Sequence, residues 1–115
     1  MKTKAVVEAL SALAQESRLG VYRLLVQTGP AGMAAGAIAD KLGLPPATLS
    51  FHLKALSHAA LVTSRQDGRF VIYAANFQAV NGLVAFLTEN CCGGNPCTSE
   101  PACPAAGDVK QGEAA

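Results

Sequence analysis

The sequence contains no tryptophan, only two tyrosines and four phenylalanines, and 15% charged residues. A core with so few rings must be built from leucine and valine. The 22 alanines add little volume, so that core is thin for a chain of 115 residues. Thin cores in short chains often gain stability from a partner subunit. Runs of one charge sign are also missing. Nine Lys+Arg against eight Asp+Glu give a net charge of +1, which excludes a polybasic tail and a disordered acidic protein. No long apolar segment reads as a leader or a membrane span. Glu8 interrupts the stretch that follows Met1-Lys2-Thr3-Lys4, where a signal peptide needs continuous apolar residues. The uncharged stretch from Phe70 to Thr88 contains Asn76, Gln78, Asn81 and Gly82, and its periodicity changes near Ala74–Asn76. A strand followed by a helix fits it better than a span. The expectation is a cytoplasmic protein with no membrane partner. Cysteine is absent before residue 91, and Cys91, Cys92, Cys97 and Cys103 all lie in the last 25 residues. In a reducing compartment such a cluster reads as a metal site or redox switch rather than a disulfide framework.

The near-neutral total hides an asymmetry. Residues 1–90 carry eight basic and five acidic groups, net +3, and residues 91–115 carry one basic and three acidic, net −2. No internal repeat is present. Val6, Leu10 and Leu13 fall at helical spacing and predict a first helix. After the polar break Gln15-Glu16-Ser17, the apolar residues Val21, Leu24 and Leu25, together with Thr28, predict a second, ended by Gly29-Pro30. Ile38 and Leu42 support a short third helix over 34–42. Gly43-Leu44-Pro45-Pro46 is a tight connection, and Pro46 suits a first helical position. Leu49, Leu53 and Leu56 form the buried stripe of a fourth helix over 45–58, whose other face carries Thr48, Ser50, Phe51, His52 and Lys54. Leu61–Arg65 and Arg69–Tyr73 read as two strands around the hairpin signal Gln66-Asp67-Gly68. Phe77–Asn90 is a last helix, apolar over a surface broad enough for more than one neighbour. Beyond Cys92 the Gly, Pro, Ala, Ser and Cys composition reads as a loop and flexible tail. The domains expected are therefore 1–92 and 93–115, the latter a Cys/Gly/Pro-rich tail.

This order of elements is mainly α with a β-hairpin wing, that of a winged helix-turn-helix. A recognition helix needs an apolar stripe to dock it and an exposed face of hydrogen-bonding side chains for base edges. Thr48, Ser50, His52 and Lys54 supply that face near a helix N-terminus, where backbone N–H groups favour phosphate. Arg65 and Arg69 flank the hairpin tip and are placed to grip the backbone or minor groove. Each of these residues alone reads as an ordinary solvated surface residue; the arrangement as a whole points to DNA.

Leu49-Ser50-Phe51-His52-Leu53-Lys54-Ala55-Leu56, then Ala60-Leu61-Val62, then Arg65-Gln66-Asp67-Gly68-Arg69 through Tyr73, resembles the ArsR/SmtB family of bacterial metal-responsive repressors. The resemblance spans roughly residues 5–92. It implies a homodimer through the first and last helices, operator binding by the metal-free form, and release when an inducer binds. Pro45 departs from the family, because it stands where a Ser or Thr often caps the helix and proline offers no side-chain oxygen. Ala60 stands where many members have glycine; if φ is positive there, alanine costs about 1 kcal/mol.

Family members place inducer sites in different parts of the fold. Cysteine positions on the third helix correspond here to Ala34 and Gly36, and no histidine follows His58 to form a zinc site on the last helix. What remains is Cys91-Cys92-Gly93-Gly94-Asn95-Pro96-Cys97, with Cys103 beyond it. The ending Phe86–Cys92 resembles an arsenite-responsive branch with thiols at the end of the last helix. Gly93-Gly94 should end the helix and leave Cys91 and Cys92 in an adjustable last turn. Asn95-Pro96 then turns the chain so that Cys97 can return. Trivalent arsenic and antimony are soft, favour thiolate and are satisfied by three sulfurs. The expected inducer site for As(III) or Sb(III) is therefore Cys91, Cys92 and Cys97, with Cys103 as an additional or substitute ligand, and no constitutive cofactor is expected. A zinc, cadmium or lead site using all four thiols, or a thiol-redox switch, are the alternatives within the same family. An enzyme is not expected: no His, Arg or Lys lies between Cys91 and Cys103 to activate a thiol, and no small-molecule substrate is implied. A metal-buffering protein would not need Ser50-Phe51-His52 or the arginine wing.

Overall fold

Glycine and proline punctuate the first half of the chain, and two of its helices end at glycine. The structure, a computed structural model, describes residues 1–94. Helices α1 (Thr3–Leu13) and α2 (Glu16–Thr28) are followed by a two-residue strand β1 (Met33–Ala34), then α3 (Ala35–Leu42) and α4 (Pro46–His58). Strands β2 (Val62–Asp67) and β3 (Phe70–Ala75) form the hairpin, α5 (Phe77–Leu87) follows, and a 3-10 turn spans Cys91–Gly94. Gln15 caps α2 by accepting from the Arg18 backbone N–H at 2.9 Å, and Gly29 at φ 95° ends it. Gly43 at φ 66° closes α3 in the left-handed conformation that glycine adopts at least cost. The architecture is the winged helix-turn-helix expected from the order of elements.

The wing is larger than its hairpin. β1, absent from the sequence expectation, pairs antiparallel with β3 (Met33 opposite Tyr73, Ala34 opposite Ile72), giving a three-stranded sheet in the order β1-β3-β2. Gly32 leads into it at φ 75°, and a Cβ there would stand 2.5 Å from the Tyr73 carbonyl oxygen, so the approach of the two strands requires glycine. At the other end of the hairpin Asp67 faces Phe70, leaving Gly68 and Arg69 as the two-residue turn. Gly68 takes a positive φ there, 63°, and Asp67 does not. Glycine at the first central position is the habit of type II′ turns, which match the twist of the flanking strands.

The core forms where α1, α2, α3, α4 and the sheet meet, around Val21, Leu25, Ile38, Leu49, Leu53, Leu56 and Leu61, all essentially inaccessible. On α1 the buried face is Val6, Ala9 and Ala12 rather than the expected Val6, Leu10 and Leu13, and Leu10 is 42% exposed. Alanine lets that helix approach its neighbours closely, which turns Leu10 outward. α5 ends at Leu87, short of the expected Asn90. The Thr88 hydroxyl donates back to the Val84 carbonyl at 2.8 Å, and Asn90 at φ 55° cannot continue a right-handed helix. No helix among the described residues is long and apolar enough to cross a membrane.

Candidate nucleic-acid interface

α4 starts at a proline pair. Pro45 sits extended at φ −61°, ψ 144°, and offers no side-chain cap. Its carbonyl accepts from the Leu49 N–H at 2.9 Å, and Pro46 occupies the first turn, where a missing N–H costs nothing. Leu49, Leu53 and Leu56 dock the helix, each contributing about 1.5–3 kcal/mol by burial. Its C-terminus closes through Ala60. At φ 62° this residue donates to the Ser57 carbonyl at 3.0 Å, while Leu61 donates to Leu56 at 3.0 Å. Those two bonds are the Schellman pair that satisfies the last carbonyls of a helix, with alanine in the place that normally falls to glycine. The positive φ posited for Ala60 is therefore present. The Asn76 amide secures the same corner, donating to the Ala60 carbonyl at 2.9 Å.

Thr48, Ser50, Phe51 and Lys54 lie exposed on the outer face of α4, as expected. His52 does not. It is 7% exposed and belongs to the docking side. Its Nδ1 accepts from Nε of Arg18 on α2 at 3.2 Å. An arginine has no acceptor to offer, so this Nδ1 must be unprotonated, with any ring proton on Nε2. The Arg18 guanidinium also lies 5.5 Å from the Phe51 ring centroid, within cation–π range, and the Phe51 and His52 rings meet edge to face at 5.8 Å. Arg18 was not singled out in the sequence. Its partners lie more than thirty positions along the chain, and no local pattern marks such a contact.

The two wing arginines are treated differently by the fold. Arg65 is exposed, but its Nη2 donates to the Ala31 carbonyl at 2.8 Å, tying the wing to the loop before β1. Arg69 stands in the turn itself, exposed at the tip, with Phe70 beside it 59% exposed. Of the two arginines expected from the sequence to grip DNA, Arg69 stands in the turn and Arg65 within β2.

Cys91 and Cys92 lie beyond the end of α5 rather than in its last turn. Both are exposed, and their Sγ atoms are 3.6 Å apart. Side chains of neighbouring residues diverge on a helix; here Cys92 at φ 57°, following Asn90 at φ 55°, turns the chain and brings the sulfurs together. Among the described residues no three His, Cys, Asp or Glu side chains converge to hold a metal. Cys97 and Cys103 lie outside the described residues. The tail expected over 93–115 likewise falls outside them, apart from Gly93 and Gly94.

A helix-turn-helix domain model matches residues 13–65, the segment from the end of α1 to the middle of β2. The nodulation protein NolR of Rhizobium meliloti is 36% identical over 80 residues, a match covering 70% of this chain and 63% of that protein. The solution structure of a homodimeric winged helix-turn-helix DNA-binding domain from Mycobacterium bovis, a possible ArsR-family transcriptional regulator, is 33% identical. Its TM-score is 0.62, and the match covers 74% of this chain and 76% of that one. The crystal structure of a possible transcriptional regulator for arsenical resistance is 30% identical with a TM-score of 0.61, over 70% of this chain and 80% of that one.

Proposed function

Because the chain belongs to the ArsR family of winged helix-turn-helix transcriptional regulators, we propose that it is a dimeric repressor released from its operator by arsenite or antimonite. The similar solved structures are of possible transcriptional regulators, one of them a DNA-binding domain, and not of enzymes. The finer reading rests on one observation: the exposed Cys91 and Cys92 sulfurs lie 3.6 Å apart at the end of α5. Two thiolates in contact form two corners of the three-sulfur pyramid that a soft trivalent ion prefers. Cys97, or Cys103 in its place, supplies the third. The relative associated with arsenical resistance supports the same inducer class.

In this reading the metal-free dimer sits in the cytoplasm, on its operator. Two copies of α4 enter successive major grooves and two wings straddle the backbone. The dimer forms through α1 and α5. In a single chain they expose Val7, Leu10, Val84 and Leu87, and Met1 lies against Gly82 of α5. A second copy covers these residues. The inducer ties the thiol turn to the tail, which shifts α5 within the dimer interface and so changes the spacing of the two reading helices. A coupling of about 1–3 kcal/mol, five- to 150-fold in affinity, is typical of such regulation.

The test is fluorescence anisotropy of the reduced protein on a labelled duplex from upstream of its own gene, at fixed salt. Arsenite added up to one equivalent per chain should dissociate the complex, and zinc should not. Cys91→Ser and Cys92→Ser should bind DNA like the parent but lose the arsenite response. Release by zinc alone, or by an oxidant alone, would replace the inducer assignment while leaving the repressor intact.

A further inference from the structure

Phe51 is the most exposed large apolar residue among the described residues, at 64%, and it lies on the helix that reads DNA. Two residues beyond Leu49, it is turned about 160° away from the core-facing side of α4. Its neighbours on that face, Ser50 and Lys54, are polar and exposed. A lone exposed phenylalanine is unremarkable by itself. This one is held from two sides. The Arg18 guanidinium lies 5.5 Å from its centroid and the His52 ring meets it at 60°, while Arg18 is itself fixed by its 3.2 Å bond to His52. The ring is therefore pre-positioned, and little rotamer freedom remains to be lost on binding.

We propose that Phe51 reads the C5 methyl group of a thymine in the operator, and that Arg18 is the positioning residue that holds its ring for this contact. A phenyl ring has no donor or acceptor for the polar edges of the bases. Among the four bases, thymine alone presents a methyl group in the major groove, and phenylalanine is one of the side chains suited to meet it. Ser50 and Lys54 beside it supply hydrogen-bonding and phosphate contacts. The apolar dimer surface lies on α1 and α5, so Phe51 is not needed for self-association. This inference rests on α4 being the groove-reading helix, as proposed above.

The test uses the full-length reduced protein and its operator duplex, with thymines replaced one at a time by deoxyuridine. That change removes the methyl and leaves the hydrogen-bonding edge intact. At one position in each half-site, uracil should weaken binding about fourfold, and about fifteenfold when both half-sites are changed, from the worth of one buried methyl. Phe51→Ala should bind the thymine and uracil duplexes equally. Arg18→Gln should lose part of the discrimination, and Arg18→Lys, which keeps a cation over the ring, should recover some of it. A scan that finds no methyl-sensitive position for the unaltered protein would overturn the proposal, as would full discrimination by Phe51→Ala. Failure to bind the thymine duplex at all is a different result and would remove the operator reading itself. The scan on the unaltered protein involves no substitution, so a folding defect cannot mimic its outcome.

Discussion

Ala60 and Cys92 share nearly the same backbone conformation, φ 62° and φ 57°, in surroundings of opposite kind. Each costs about 1–2 kcal/mol for a residue with a Cβ. At Ala60, itself exposed, the cost is offset by two helix-closing hydrogen bonds, the Asn76 amide on its carbonyl, and the fully buried Leu61 immediately after it. Around Cys92 the backbone hydrogen bonds among the described residues are local. Cys91 donates to Thr88 and Gly93 to Asn90, both at 3.0 Å, and Cys91, Cys92 and Gly93 are all exposed. The first corner is over-determined and fixes where α4 ends. The second is a short exposed turn beyond the end of α5. In the proposed function the first construction would serve the DNA-reading helix and the second the inducer site.

The largest effect that separates the two regions is on stability. Leu53→Ala removes a fully buried anchor of α4 and should cost about 2–5 kcal/mol in a urea melt, with DNA binding lost alongside. Cys91→Ser, at an exposed position, should stay within about 0.5 kcal/mol of the parent. If the two variants destabilised equally, the thiol turn would be part of the core and the contrast between reader and sensor would collapse.

A smaller effect sharpens the comparison at Ala60. Ala60→Gly keeps the helix closure and removes the Cβ from a left-handed residue. Stability should rise by up to about 1 kcal/mol, seen as a higher urea midpoint at unchanged slope. DNA affinity should not change, because the corner is already fixed by its hydrogen bonds. A gain in stability with a loss of affinity would mean that the strain itself aims the helix.

Sequence and structure agree where a pattern repeats over a whole element. The Leu49-Leu53-Leu56 stripe, the Gly29 and Gly43 stops and the hairpin signal each mark an element that is present. The departure at Ala60 was also legible, because only a left-handed corner makes alanine matter there. His52 could have been read correctly: it lies three residues after Leu49 and four before Leu56, which is the spacing of the buried stripe rather than of the opposite face. What escaped the sequence depends on partners distant in the chain. β1 is two residues long and exists because β3 runs beside it, forty positions away. The choice of Ala9 over Leu10 on α1 is made by how closely other helices approach, which periodicity does not encode. Arg18 acquires its role from α4 alone. The convergence of Cys91 and Cys92 follows from single-residue φ values after Leu87, where no repeating pattern remains to guide a reading.

The smallest predicted effect tests whether the packed region is complete within one chain. Tyr22 of α2 is 7% exposed, and its hydroxyl has no hydrogen-bond partner among the described residues. Burial disfavours the phenolate and holds the Tyr22 hydroxyl above the ordinary tyrosine pKa of 10.0. Above pH 10 the unfolded chain can ionise this tyrosine while the folded chain keeps it protonated. Its contribution is therefore fully present below pH 10 and is lost as pH rises beyond it. Tyr22→Phe removes both the orphaned hydroxyl and the titration. At neutral pH the variant should be between neutral and about 1 kcal/mol more stable, and its urea midpoint should fall less steeply above pH 10 than the parent's. A variant that is clearly less stable at neutral pH would show that the hydroxyl finds its partner elsewhere, in the tail or a second copy. The core beneath the reading helix would then be finished only in the assembled dimer, and reader and sensor would share a boundary that the single chain does not reveal.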